Sequence, residues 1–282
     1  MHKKRLFSQI AVASVAVLIL AGCSSSSDSA SSGVPKVDMM KELGAGEGQV
    51  NIVAWAGYVE NGSTDPKVDW VTGFEKETGC KVNVKNGATS DDMVALMKTG
   101  EYDVVSASGD ASLRLIYGGD VAPVNTDLIP NYADIFDNLK MQQWNSVDGV
   151  AYGIPHGRGA NLLAYRTDIV KPAPTSWGSV FDANSPYKGK ITAYDSPIYL
   201  ADAALYLMKT KPELGIKYPY ALDQTQFDAA VELLKAQKPL IGEYWGDYLK
   251  HVASLKSGGT VLGTTWQVNI NLAQGEGTKV EG

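Results

Sequence analysis

Apolar positions fall into two periods along this chain. From residue 50 onward, short unbroken apolar runs of strand length alternate with segments whose apolar residues recur at helical spacing. That is the pattern of strands buried on both faces and of the helices that cover them. Residues 50–55, 81–85 and 102–105 read as strands. Between them one helix begins near Asp69, with Trp70, Val71 and Phe74 on one face and Gly79 as its stop. Ser90 caps a second, with Asp91 and Asp92 in its first turn, Met93, Leu96 and Met97 on its apolar side, and Gly100 at its end. A short helix through Leu113 and Ile116 follows the third strand and ends at Gly118 and Gly119.

The second half repeats the alternation. A strand over 150–155 leads into His156-Gly157-Arg158-Gly159, a glycine-punctuated segment suited to a crossing between lobes. Strands follow at 160–165, 189–194 and 261–266, with an amphipathic turn at 177–181 and a helix over 198–209. Phe227, Ala230, Val231 and Leu234 define a helix stopped by Pro239, and Leu249, Val252 and Leu255 another closed by Gly258 and Gly259. Strands alternating with helices imply an α/β fold with mostly parallel sheets, and two such lobes about a glycine-rich crossing imply a cleft.

The first 48 residues stand apart. Lys3, Lys4 and Arg5 precede an apolar stretch over 10–20 that is too short to span a bilayer, which makes 1–22 an export signal. Leu20-Ala21-Gly22-Cys23 has the form of a lipobox, which would leave Cys23 as the lipidated first residue of the mature protein. The Ser-rich composition that follows makes 23–48 a tether.

Composition narrows the chemistry. The 282 residues are 44% hydrophobic and 20% charged, with a net charge of -6 that becomes -9 without the three cations of the signal. An acidic surface argues against nucleic acid and suits a cationic partner. The second cysteine, Cys80, is then either buried and inert or paired outside this chain. Beyond the signal only His156 and His251 remain, with no ligand spacing for a metal, and no phosphate-binding or dinucleotide-binding glycine loop calls for a cofactor. Ser185-Pro-Tyr-Lys188 matches S-x-x-K, but it lies in a turn and lacks the partner motifs of an acyl enzyme, so a nucleophile–base pair is missing.

What remains is a set of aromatic, acidic and hydroxyl side chains near predicted strand ends. Trp55 and Tyr58 follow the first strand, Ser108 and Asp110 the third, and Asp195 and Tyr199 the 189–194 strand. Trp245 and Asp247 precede a helix, and Trp266 ends the last strand. Aromatic faces with carboxylates suit an organic cation. Each has a plainer alternative: Trp55 and Tyr58 as sheet-capping core, Asp195 and Asp247 as helix N-caps, Asp110 as a first-turn acid.

The blocks I-V-A-W-A-G-Y at 52–58, F-E-K-E-T-G-C-K-V at 74–82, E-Y-D-V-V at 101–105, Y-G-I-P at 152–155, Y-K-G-K-I at 187–191 and G-T-T-W at 263–266, after a signal and lipobox, are similar to extracellular solute-binding proteins of ABC importers, spermidine/putrescine type. The resemblance implies a two-lobed, hinged periplasmic-binding-protein type II fold (a Venus flytrap), incomplete at the C-terminus. Lobe 1 would span 49–156 and lobe 2 157–264, with 265–282 starting a return to lobe 1. It implies a lipid-anchored monomer, without enzymatic activity, that captures a polyamine and delivers it to permease subunits.

By the same resemblance, Trp55 and Tyr58 match a W-x-x-Y that lines the ligand channel, and Trp266 matches a cleft tryptophan. Gly109, just after Ser108, stands where the family has an aromatic; Ser196 and Tyr199 replace acids beside Asp195, and Val268 replaces an Asp. A partner for Cys80 would lie beyond Gly282. The alternatives are a binding protein for an amino acid, a sugar or iron, and a cleft hydrolase.

Overall fold

The computed structural model describes residues 33–63 and 65–282. The signal, Cys23 and the first part of the tether lie outside the described residues. Val34–Gly282 forms one compact unit holding two main sheets.

The first sheet has the order β2-β1-β3 and is parallel throughout. Its centre is β1 (Gln49–Ala54), whose Val53 and Ala54 are fully buried. Helix α1 (Val71–Thr78) returns the chain to β2 (Lys81–Asn86), stopping at Gly79, whose φ of 70° is the left-handed conformation of a helix C-cap. Next come α2 (Ser90–Met97), the short β3 (Val104–Val105) and α3 (Gly109–Gly118). The cap of α2 is Thr89 rather than Ser90: its Oγ1 accepts from the Asp92 N–H at 3.1 Å, while Ser90 is buried against Ser108. Val94, Ala111 and Leu115 bury the contact between α2 and α3.

From Val34 the chain has defined neighbours on this lobe, where a tether running to residue 48 was expected. Pro35 lies against Gly119, and the Met40 carbonyl accepts from Asn125 Nδ2 at 3.1 Å. Cys80 is half-buried and free.

The crossing carries less regular structure than the expected strand over 150–155. Only β5 (Val150–Ala151) pairs, with β4 (Ser146–Val147), and 152–161 runs on without ladder bonds to the next strand.

The second sheet has the order β10-β6-β9-β7-β8 and is mixed. Strand β6 (Leu162–Arg166) runs antiparallel to its neighbours, and after α4 (Gly178–Phe181) comes β7 (Ile191–Tyr194), buried at every residue. Helices α5 (Ile198–Thr210) and α6 (Gln224–Gln237) cover the sheet, the latter opened by a capping box between Asp223 and Gln226. Val180, Ile191, Ala203, Leu207, Ala230 and Leu262 belong to one core cluster.

Three elements had no clear period in the sequence. Strand β8 (Ile241–Trp245) sits at the sheet edge, and its Gly242 passes so near Gly189 that a Cβ would lie 2.2 Å from the Gly189 carbonyl oxygen. It is followed by α7 (Tyr248–Ser257) and β9 (Leu262–Thr265). Helix α8 (Gln267–Gly275) and β10 (Val280–Glu281) then overturn the expectation that 265–282 begins a return to the first lobe. β10 pairs antiparallel with β6, and Val280 is buried with Ala164, Leu255, Ile270 and Ala273, so apolar burial keeps this segment on the second sheet.

Candidate functional site

Parallel strands deliver side chains to the edge where they end, and in α/β folds that edge binds ligands. Here the ends of β1, β7 and β9 face one cavity of about 3030 Å³ between the lobes. Pockets for small ligands are typically about 300–1,000 Å³, so a compact solute would fill only the part where side chains converge.

That part is an aromatic pile built from both lobes. Trp266, just past β9, meets Trp55 from β1 edge-on, with ring centres 5.9 Å apart. It makes further edge contacts with Tyr194 at 5.0 Å and Trp245 at 4.8 Å. Edge-to-face packing of this kind adds roughly 0.5–1.5 kcal/mol per pair beyond area burial. Tyr58 lies outside the pile, 41% exposed, stacked on His156 of the crossing at 4.6 Å.

Trp55, Tyr58, Ser108, Asp247 and Trp266 all line the cavity. Ser108 Oγ donates to Asp110 Oδ1 at 2.7 Å and shares a short hydrogen bond with Ser90. Asp110 is a first-turn acid of α3, as its position predicts, and it stands behind the cavity wall; its Oδ2 is buried and receives no hydrogen bond. Asp247 lines the cavity, and its Oδ1 caps α7 by accepting from the Leu249 and Lys250 N–H groups at 2.8 and 3.2 Å.

Besides Asp110, three residues expected at the site do not line the cavity. Trp245 is 2% exposed beneath Trp266; its Nε1 donates to the Thr264 carbonyl at 3.1 Å, and its ring packs on Tyr194 at 4.7 Å and stacks on the buried His251 at 4.6 Å. It supports the floor without lining it. Asp195 is exposed, faces a shallow hollow with Lys235, Lys238 and Tyr244, and does not cap α5, whose N-cap position is Pro197. Tyr199 is 4% exposed in the core of the second lobe, exchanging hydrogen bonds with Gln237 at 3.2 and 2.8 Å.

Helix geometry explains the last displacement. Along α5 the cavity side is Ile198, Asp202, Leu205 and Lys209, while Tyr199, Ala203 and Leu207 are buried on the core side. The carboxylate that enters the cleft from this helix is therefore Asp202, which sequence reasoning passed over. The signal was a lone acid in an otherwise apolar helical run, three residues before Leu205 and four after Ile198.

Asp202 belongs to a chain of hydrogen bonds. Trp266 Nε1 donates to Asn161 Oδ1 at 3.1 Å, and Asn161 Nδ2 donates to both Asp202 oxygens at 3.1 and 2.9 Å. Burial pushes the Asp202 carboxyl up from 3.8 to about 7, against the smaller opposing effect of the Asn161 bond. Tyr220, from the loop before α6, also lines the cavity and is held up at about 12 by burial and by the charges of Asp110 and Asp202. Tyr194 is raised to about 12 mainly by burial, with Asp110 again contributing.

Gly109 shows how tightly the lobes meet. A Cβ there would lie 2.9 Å from Trp144 Cβ and 3.0 Å from Tyr220 Cε2, so the two rings occupy the space a side chain at 109 would need. Among the described residues, no group of three or more His, Cys, Asp or Glu is placed to hold a metal ion, and no helix is long and apolar enough to cross a membrane.

Comparison with known proteins agrees with this architecture. The chain is 24% identical over 246 residues to the spermidine/putrescine-binding periplasmic protein 1 of Haemophilus influenzae, covering 86% of this chain and 63% of that protein. It thus spans less than two thirds of the length of that curated relative. Among solved structures, it resembles the Tp0655 (TpPotD) lipoprotein of Treponema pallidum, with TM-score 0.64, 17% identity, and coverage of 83% of this chain and 69% of the other. It also resembles a spermidine/putrescine ABC transporter substrate-binding protein of Streptococcus pneumoniae, with TM-score 0.57, 18% identity, and coverage of 83% and 67%. These likenesses establish the two-lobed α/β fold of periplasmic binding proteins. Because the family profile matches residues 69–281, from the start of α1 to β10, the chain belongs to the bacterial extracellular solute-binding protein family.

Proposed function

We propose that this chain is the substrate-binding component of an ABC importer and takes a polyamine or a related organic cation into the interlobe cleft for delivery to membrane permease subunits. The observation that carries the reading is the pile in which Trp55 and Trp266 meet across the cleft, with the carboxylates of Asp202 and Asp247 on the same cavity. Aromatic rings attract an ammonium group by cation–π interaction, and carboxylates hold it by charge-assisted hydrogen bonds. The name of the Haemophilus relative points to the same ligand class. Under this reading Trp55, Tyr58, Ser108 and Trp266 contact the ligand, Asp110 acts through Ser108, and the protein is an exported monomer, held at the outer face of the membrane through Cys23, with no catalytic role.

Thermal denaturation of the whole chain tests it. A ligand present at a hundred times its Kd stabilises the native state by about 2.7 kcal/mol, which a melting curve detects readily. Putrescine or spermidine should raise the melting temperature, while neutral sugars and amino acids should not. A shift with a sugar and none with either polyamine overturns the ligand assignment. A different amine-bearing solute is the second reading, favoured by the position of Asp195 and Tyr199 outside the cleft.

A further inference from the structure

Asp202 is partly buried, opens onto the cavity, and satisfies its two oxygens with a single neutral donor, the Asn161 amide. Its near surroundings are polar and aromatic side chains. Asn161 comes from the chain entering β6, Tyr220 from the loop before α6, Trp266 from the end of β9, and Tyr199 from its own helix. Both phenols are held neutral, at about 12. Lys209, two turns along α5, and His156 and Arg158 of the crossing also border the cavity, yet no Lys, Arg or His among the described residues forms an ion pair with Asp202 within 4.0 Å. A carboxylate taken out of water without a cation is costly, and the group reduces that cost by holding a proton.

From this geometry we propose that Asp202 is an ammonium-binding carboxylate of the cleft and that it releases its proton to solvent when an amine docks. The inference rests on the amine reading above and adds to it a residue and a linkage. The balance is simple: a neutral carboxyl and an incoming ammonium give a carboxylate–ammonium pair and one proton released to solvent, with no bond between heavy atoms made or broken. Asn161 keeps the carboxylate oriented and ties it to Trp266, so charge and ring are presented to the ligand together. The sign follows from linkage: below neutral pH, binding must displace the proton and weakens; above it, the carboxylate is already free.

Isothermal titration of the whole chain with putrescine and, separately, with spermidine, at pH 6 and pH 8 and in two buffers of different ionisation enthalpy, counts the protons. Wild type should release close to one proton per ligand at pH 6 and almost none at pH 8, with affinity about tenfold lower at pH 6. Asp202→Asn should release none, bind equally at both pH values, and lose roughly ten- to a hundredfold in affinity at pH 8, the worth of one charge-assisted hydrogen bond. Putrescine binding by wild type without proton release at pH 6, or with release retained in Asp202→Asn, overturns this assignment and leaves the polyamine reading standing. Absence of binding to putrescine and spermidine at both pH values overturns both. The wild-type proton count does not depend on the variant folding.

Discussion

Asp202→Asn should make the ligand-free protein more stable at pH 8 and leave it almost unchanged near pH 4. In the folded chain the carboxyl holds its proton up to about 7, against an ordinary 3.8, because it is buried with one amide for company. Once unfolded it ionises at its ordinary value. Between those two pH values the folded state therefore binds more proton than the unfolded one, and stability falls as pH rises. Relative to an ordinary aspartate, nothing is lost below about 4, and the full penalty is reached above about 7. At about 1.4 kcal/mol for each pH unit through which the proton is held, the ceiling at pH 8 is about 4 kcal/mol. Asp202 opens onto the cavity, where solvent relieves part of the cost of the charged form, so about half of that, roughly 2 kcal/mol, is the expected gain. For a chain of this length that corresponds to roughly 4–8 °C in melting temperature. Urea unfolding of both proteins at pH 4, 6 and 8 measures it. A variant less stable than wild type at pH 8, or offset equally at all three, would show that Asp202 is not a buried, proton-holding group.

The other predictions concern the surroundings of the cleft. His251 is fully buried and its imidazole is pushed down from 6.5 to about 4 by burial, so stability falls as pH drops from 6.5 toward 4, by about 3 kcal/mol, the opposite sign to Asp202; His251→Leu should flatten that acid limb in urea titrations. Trp245→Ala should destabilise by about 3–5 kcal/mol because the side chain is core, whereas Trp266→Ala should cost chiefly ligand affinity, a contrast read by pairing melts with titration. Gly109→Ala must push aside Trp144 or Tyr220 and should cost about 1–3 kcal/mol, measured by denaturant unfolding.

Much of this protein was legible in local pattern. The strands at β1, β2 and β7, the helices α5 to α7 and the stops at Gly79 and Gly258 each follow from signals lying within a few residues of one another. The positions of Trp55 and Trp266 at the ends of apolar strands were legible in the same way, and both line the cavity. Strands β8 and β10 and helix α8 were not legible, since their reason for forming lies in distant partners: β8 follows β7 at the sheet edge, and β10 has no ladder without β6.

The allocation of site residues divides on the same line. Sequence by itself determined the alternation of strands and helices, the aromatic residues at strand ends and the acidic balance of the chain, all of which local periodicity and composition specify. Only the tertiary structure decided that Tyr199 turns into the core while Asp202 turns to the cleft, that Trp245 lies under Trp266, and that Asp195 faces outward. A helix presents successive residues about 100° apart, so which one meets the ligand depends on how the whole helix is rotated against its sheet, and packing alone fixes that rotation.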